Sequence, residues 1–257
     1  MRLKDKVAII TGAGNGMGRA DALLFAKKGA RVVVNDIRQE DIDTVVKEVE
    51  QAKGEAFGYK ADVSKLDEVE AMVEETINRF GKVDILVSNA GWDQLRPFLH
   101  TDKEFWDKIF NLNLIAHLNC VKAVLPNMIK NKYGKIVTIG SDAGRLGNPM
   151  EAPYSAAKGG VIAFTKTIAR EFGRSNITAN CVCPGITEGT RLSKEMIDAI
   201  PEKEKAIKMM ETVRKVTPMG RLAQPEDVAK AVLFFASDDS SFVTGQVLST
   251  SGGLTTP

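Results

Sequence analysis

The sequence predicts an α/β fold in which a single doubly wound parallel sheet carries helices on both faces. Three observations lead there. Short apolar, β-branched runs recur along the 257 residues, amphipathic stretches of helical period separate them, and the first run empties into a glycine-rich turn. Strand and helix in steady alternation is the pattern that lays strands parallel, with crossovers packed on either side. A chain of this length fits one domain, expected to span 1–257.

The strands are read in order from runs that are apolar throughout, as strands buried on both faces are. They fall at 7–10, 32–34, 56–60, 83–87, 136–139, 177–183 and 246–248. Helical patterns fill the intervals at 19–28, 42–52, 66–80, 103–129 and 154–172. The stretch 188–217, rich in Lys, Glu and Met, departs from this rhythm and is expected to be a helical flap over a site. No internal repeat or linker interrupts the chain.

Composition narrows the function classes. With 44% hydrophobic and 26% charged residues, the chain can bury a sizeable core. Basic and acidic residues nearly balance, 35 against 33, which leaves no basic field for nucleic acid. Cys120, Cys181 and Cys183 form neither a CxxC motif nor a metal ligand set, so no metal is expected. Cys181 and Cys183 would face the same side of a strand as small buried hydrophobes. No signal-peptide core and no apolar run of transmembrane length is expected, which points to a reducing, cytoplasmic setting without membrane contact.

The turn Thr11-Gly12-Ala13-Gly14-Asn15-Gly16-Met17-Gly18 stands between a strand and a helix. Glycines there let a pyrophosphate approach the main chain, and the helix start offers free N–H groups to it. Asp36 closes the second strand, eighteen residues beyond Gly18. An acid at that distance suits the ribose hydroxyls of NAD and repels the 2′-phosphate of NADP. Arg38 lies close by, but Asn15 in the turn is not basic, and NAD is the cofactor expected. Asp62-Val63 follows the third strand, where an adenine edge could be bonded. Ser88-Asn89-Ala90-Gly91 closes the fourth, at the carboxyl edge where such sheets bind ligands.

Tyr154 and Lys158 are four residues apart, so on a helix they share one face. An ammonium beside a phenol favours the phenolate and makes it a usable base.

These motifs together, in order and spacing, resemble the short-chain dehydrogenase/reductase family over nearly the whole chain. That resemblance implies a Rossmann-type sheet and adds Asn113, Ser141 and the Pro184-Gly185-Ile186-Thr187 turn to the set. It implies Tyr154 as proton donor or acceptor, Ser141 orienting the substrate oxygen, Lys158 holding the nicotinamide ribose, and Asn113 holding a relay water. The implied cofactor contacts are Gly12, Asn15, Gly16, Met17, Gly18, Asp36, Asp62, Val63, Asn89, Ala90, Gly91, Tyr154, Lys158 and residues 184–187. Asn111 stands two positions before Asn113 and competes with it. Ser88 departs from the family's asparagine. Gly189 stands where a threonine is common, leaving Thr187 and Thr190 as the candidates for the carboxamide contact.

Within the family, Asn89-Ala90-Gly91-Trp92-Asp93, Pro97-Phe98, Gly140–Ala143 and Glu151-Ala152 resemble the 2-hydroxycyclohexanecarboxyl-CoA dehydrogenases of alicyclic and aromatic acid degradation. The resemblance implies NAD-dependent oxidation of a secondary alcohol to a ketone, on a cyclic or aryl β-hydroxyacyl-CoA. Ser141, Trp92, Asn148, Met150 and Tyr154 would border the substrate, and Arg145 and Arg191 could meet CoA phosphates. A 3-oxoacyl thioester reductase and a non-catalytic NAD-binding scaffold subunit are the rival readings. The long helices imply pairing into homodimers or tetramers.

Overall fold

The computed structural model describes residues 2–198 and 203–256. Seven parallel strands form one sheet: β1 (Val7–Ile10), β2 (Arg31–Asp36), β3 (Glu55–Lys60), β4 (Ile85–Ser88), β5 (Gly134–Ile139), β6 (Ile177–Pro184) and β7 (Val247–Thr250). They lie in the order β3-β2-β1-β4-β5-β6-β7. The order reverses direction between β1 and β4, which opens a crevice at the carboxyl ends of those two strands.

Alternation along each strand sends side chains to opposite faces. Ala8 and Ile10 enter one core layer with Phe25 and Val232, while Ile9 enters the other with Met72, Val121 and Ile168. The first layer lies beneath α1 (Gly16–Lys27), α2 (Gln39–Gln51) and α10 (Pro225–Ala236). The second lies beneath α3 (Leu66–Phe80), α5 (Ala116–Asn131) and α7 (Ala152–Phe172). Burying each such side chain contributes about 1.5–3 kcal/mol relative to exposure.

The helix expected at 103–129 is broken into α4 (Lys103–Phe110), a π-helical turn (Asn111–Ile115) and α5. By length and composition alone, 103–131 could cross a membrane, which corrects the expectation that no stretch would reach that length. Half of its apolar window is buried inside the protein, as in a core helix. Short α6 (Ala143–Leu146) precedes α7, and α8 (Arg191–Asp198) and α9 (Lys203–Val216) follow β6. Residues 199–202 of the expected 188–217 flap lie outside the described residues.

Candidate active site

The glycine turn is shaped by what a side chain would strike. Gly12 and Gly16 have φ of 62° and 55°, in the left-handed region that favours glycine. A Cβ on Gly18 would stand 2.3 Å from the Gly12 carbonyl oxygen, so helix and turn touch directly. Asn89 ties this turn to β4: its side-chain amide donates to the Thr11 carbonyl at 2.9 Å and to the Gly12 carbonyl at 3.2 Å. The Thr11 hydroxyl accepts from the backbone N–H groups of Asn89 and Ala90. Asn89 Oδ1 is buried without a partner among the described residues.

Asp36 ends β2 beside the turn. Its Oδ2 accepts from the Gly14 N–H at 3.1 Å, and its Oδ1 from the Ile37 N–H at 2.8 Å. The carboxylate therefore fixes the turn against the sheet edge. Asp62 closes a local turn, with Oδ1 accepting from both the Ser64 N–H and hydroxyl. Val63 is buried in the core layer under α3. Asn15 Oδ1 accepts from the Arg191 N–H at 2.9 Å, and Met17 packs against the other core layer. Arg191 itself pairs with Asp41 at 2.6 Å.

Past β6, Gly185 lies against Ser251, where a Cβ would come within 3.0 Å of its Cα. Ile186 is exposed and Thr187 buried, its hydroxyl donating to the Gly185 carbonyl. The Thr190 hydroxyl accepts from the Ser193 N–H, which engages it in opening α8. A groove of about 820 Å³ opens between this segment and the glycine turn, lined by Asn15, Arg38, Glu188, Thr190, Arg191 and others.

The second half of the site lies at the ends of β4 and β5. Pro153 starts α7 with its ring at a position that needs no N–H, which puts Tyr154 in the first turn and Lys158 in the next. Lys158 is 2% exposed, and its ammonium donates to the Ile139 carbonyl at 2.8 Å, 5.7 Å from the Tyr154 ring centre. Burial depresses its pKa to about 8. Ser141, two residues past β5, accepts at its hydroxyl from the Ala143 N–H at 3.1 Å and acts on the Tyr154 phenol in favour of the phenolate. Burial, followed by the negative charges of Asp93 and Glu151, outweighs this and holds the phenol above its ordinary value. The acidification expected from Lys158 therefore does not dominate in the chain itself, because removal from water acts more strongly on the phenolate.

Burial separates the two asparagines of the π-helical turn. Asn111 is exposed, while Asn113 is fully buried and its amide donates to the carbonyls of Trp92 at 2.7 Å and Ile109 at 3.0 Å. Its Oδ1 accepts from the Trp92 N–H at 3.2 Å. A Cβ on Gly91 would meet both Asn113 Oδ1 and the Lys158 ammonium, so these groups border one small space. π-Helical turns recur at functional sites because the extra residue re-aims side chains.

Sequence reasoning missed two features and anticipated a third. Ser88 Oγ bonds His117 Nδ1 at 2.8 Å, and burial pushes the imidazole well below its usual pKa, followed by the Lys158 charge. Cys181 and Cys183, read as same-side residues, do lie together, with sulfurs 3.9 Å apart behind Gly140. Asp93 and Glu151 meet as two carboxyl groups beside Tyr154. No periodicity connects Ser88 to His117 or Asp93 to Glu151. Trp92 packs with Tyr154 and Phe105, whereas Asn148 is exposed and bonded to Glu151.

The fit to a dinucleotide rests on the close-packed glycines, the unpartnered Asn89 oxygen and the acid at the end of β2. Comparison with known proteins agrees. A family model described as enoyl-(acyl carrier protein) reductase matches residues 12–255. A 3-oxoacyl-acyl-carrier-protein reductase of Thermotoga maritima is 42% identical over 254 residues, covering 99% of each chain. A hydroxy(phenyl)methylsuccinyl-CoA dehydrogenase subunit of Thauera aromatica is 41% identical over 253 residues, covering 98% of each. The crystal structure of levodione reductase superposes with a TM-score of 0.92 at 32% identity, covering 98% of both chains.

Proposed function

We propose that this chain, which belongs to the short-chain dehydrogenase/reductase family and is an oxidoreductase acting on CH–OH groups, oxidises a β-hydroxyacyl-CoA to its ketone with NAD. The family binds NAD or NADP; Asp36 at the end of β2 favours NAD, because a carboxylate repels a 2′-phosphate. Bound nicotinamide supplies the hydride acceptor. Ser141 holds the substrate oxygen, and Tyr154 takes the hydroxyl proton as the carbon-bound hydride leaves. Lys158 stabilises the phenolate, and Asn113 orders a relay water while holding the Trp92 main chain.

The observation that carries the reading is the buried Lys158 ammonium one helical turn from Tyr154, 5.7 Å from its ring centre and held there by the Ile139 carbonyl. Support for a cyclic or aryl acyl group comes from the aromatic wall of Trp92, Phe105 and Trp106, and from the CoA-thioester chemistry named for the Thauera relative. The described residues of the 188–217 segment serve as the flap, its two ends joined by Arg214 to Glu188 and its start tied to α2 by Arg191 to Asp41. A cytoplasmic homodimer or tetramer paired through the long helices completes the proposal.

The second reading is reduction of a 3-oxoacyl thioester. It is favoured by the Thermotoga relative and by the raised Tyr154 pKa, which keeps the phenol protonated and ready to donate. A panel of β-hydroxyacyl and 3-oxoacyl thioesters, assayed with NAD(H) and NADP(H), separates the two. Tyr154→Phe is expected to lower turnover at least about a hundredfold while retaining NAD binding. Retained turnover removes Tyr154 from the proton-transfer role.

A further inference from the structure

Ser141 opens a turn, closed by the Gly144 N–H donating to its carbonyl at 3.0 Å, that two distant parts of the chain hold. One is α7: a Cβ on Gly144 would stand 2.6 Å from the Gly159 nitrogen and from the Lys158 carbonyl carbon, so turn and helix touch main chain to main chain. The other is the end of the chain. Asp142, 6% exposed, accepts at Oδ1 from the Ser249 hydroxyl and at Oδ2 from the Thr255 hydroxyl, 107 and 113 residues further on. Ser249 in turn accepts from the Arg145 guanidinium at 2.7 Å. A carboxylate this far out of water requires such donors, because a buried charge left unsatisfied is costly.

The segment that supplies them is itself anchored. Ser251 Oγ accepts from the Thr255 N–H at 3.2 Å and donates to the Thr255 carbonyl at 3.3 Å, which closes 251–255 into a loop. The Gly252 carbonyl accepts from the Met219 N–H at 3.1 Å, just past the 188–217 segment. A Cβ on Gly252 would stand 3.0 Å from Thr217 Cγ2, and one on Gly253 3.1 Å from Pro218 Cγ. At its start, the Thr250 carbonyl accepts from the Gly185 N–H at 3.3 Å. The loop therefore rests on fixed main chain, and its hydroxyls meet Asp142 at a defined place.

We propose that residues 249–255 form a positioning strap for Ser141, in which the Ser249 and Thr255 hydroxyls fix the Asp142 carboxylate and, through it, the turn that aims Ser141 at the substrate oxygen. Asp142, Ser249 and Thr255 touch no reacting atom and act only through Ser141. The clamp stands on the hydrogen bonds themselves; its effect on turnover rests on the proposed function.

Thr255→Val keeps the shape of the side chain and deletes one donor to Asp142, and Thr255→Ser puts a donor back. Hydrogen exchange of the full chain reads the clamp without substrate, at the amides of Gly144, Arg145, Leu146 and Gly147. Loss of one hydrogen bond to a carboxylate is expected to speed exchange there about tenfold in Thr255→Val. Exchange in the sheet should stay as in wild type, and Thr255→Ser should match wild type at all four amides. Turnover of a reactive secondary alcohol with NAD reads the positioning, since small misplacements of an orienting group are costly to rate. In Thr255→Val kcat is expected to fall about tenfold with NAD affinity within about threefold of wild type, and Thr255→Ser to recover most of the loss. A merely structural role would speed exchange throughout the sheet and weaken NAD binding together with kcat. Asp142→Asn, which turns one acceptor into a donor, is expected to speed exchange at the same four amides and serves if Thr255→Val fails to fold. Unchanged exchange in both variants overturns the clamp, and faster exchange with unchanged kcat overturns the positioning of Ser141. Should wild type oxidise no alcohol, the proposed function falls and the positioning role with it, while exchange still decides the clamp.

Discussion

Asp21 lies on the buried face of α1, fully inaccessible, with neither carboxylate oxygen bonded among the described residues. Burial pushes its pKa well above the usual carboxylate range. The folded chain therefore keeps a neutral acid at pH values where the unfolded chain has already ionised it. Between the two pKa values the folded state binds more protons, so stability falls as pH rises, by about 1.4 kcal/mol per unit. Below the unfolded value of about 3.9 the penalty is absent. Above the folded value it is complete and grows no further.

Asp21→Asn keeps the shape and removes the ionisation. Any loss from an unsatisfied polar group, about 1–3 kcal/mol, is common to every pH and drops out of the comparison. Each pH unit of the window is worth about 3–6 °C in Tm for a chain of this size. Thermal unfolding followed by circular dichroism from pH 4 to pH 8 should show the variant gaining on wild type steadily as pH rises. Parallel Tm curves across that range would refute the argument, because a buried carboxyl without a partner must produce a slope.

Asp36→Ala removes the charge that opposes a 2′-phosphate and frees the Gly14 N–H. The preference for NAD over NADP in kcat/KM should fall about tenfold or more, and an unchanged ratio would exclude Asp36 from cofactor choice. Gly18→Ala drives a methyl against the Gly12 carbonyl, so the turn must shift, at a cost of about 1–3 kcal/mol. NAD affinity measured by nicotinamide fluorescence should drop roughly tenfold to a hundredfold. Asn113→Ala deletes three hydrogen bonds, two of them to the Trp92 main chain, and should destabilise the fold by about 2–4 kcal/mol. Hydrogen exchange in the 91–97 loop should rise with it, and unaltered protection would show that Asn113 does not hold that loop.

The strands were legible because apolar runs such as 7–10 and 136–139 are buried along their whole length, and local composition reports that directly. The glycine turn was legible because Gly12 and Gly16 occupy backbone angles that other residues avoid. Tyr154 and Lys158 share a helix face through their spacing alone. The expected helix at 103–129 was legible as a helix but not as an interrupted one, since no residue type announces a π-helical turn.

By itself, then, the sequence determined what depends on near neighbours: which runs extend, where the chain must turn, and which side chains a helix sets above one another. Tertiary structure decided what depends on distant segments meeting. It separated buried Asn113 from exposed Asn111, joined Ser88 to His117, and pressed Asp93 against Glu151. It also raised the proton affinity of Tyr154, because removal from water and the carboxyls of two loops act against the phenolate. Proton affinity is set by the whole surrounding dielectric and field, and a linear pattern of residues does not contain either.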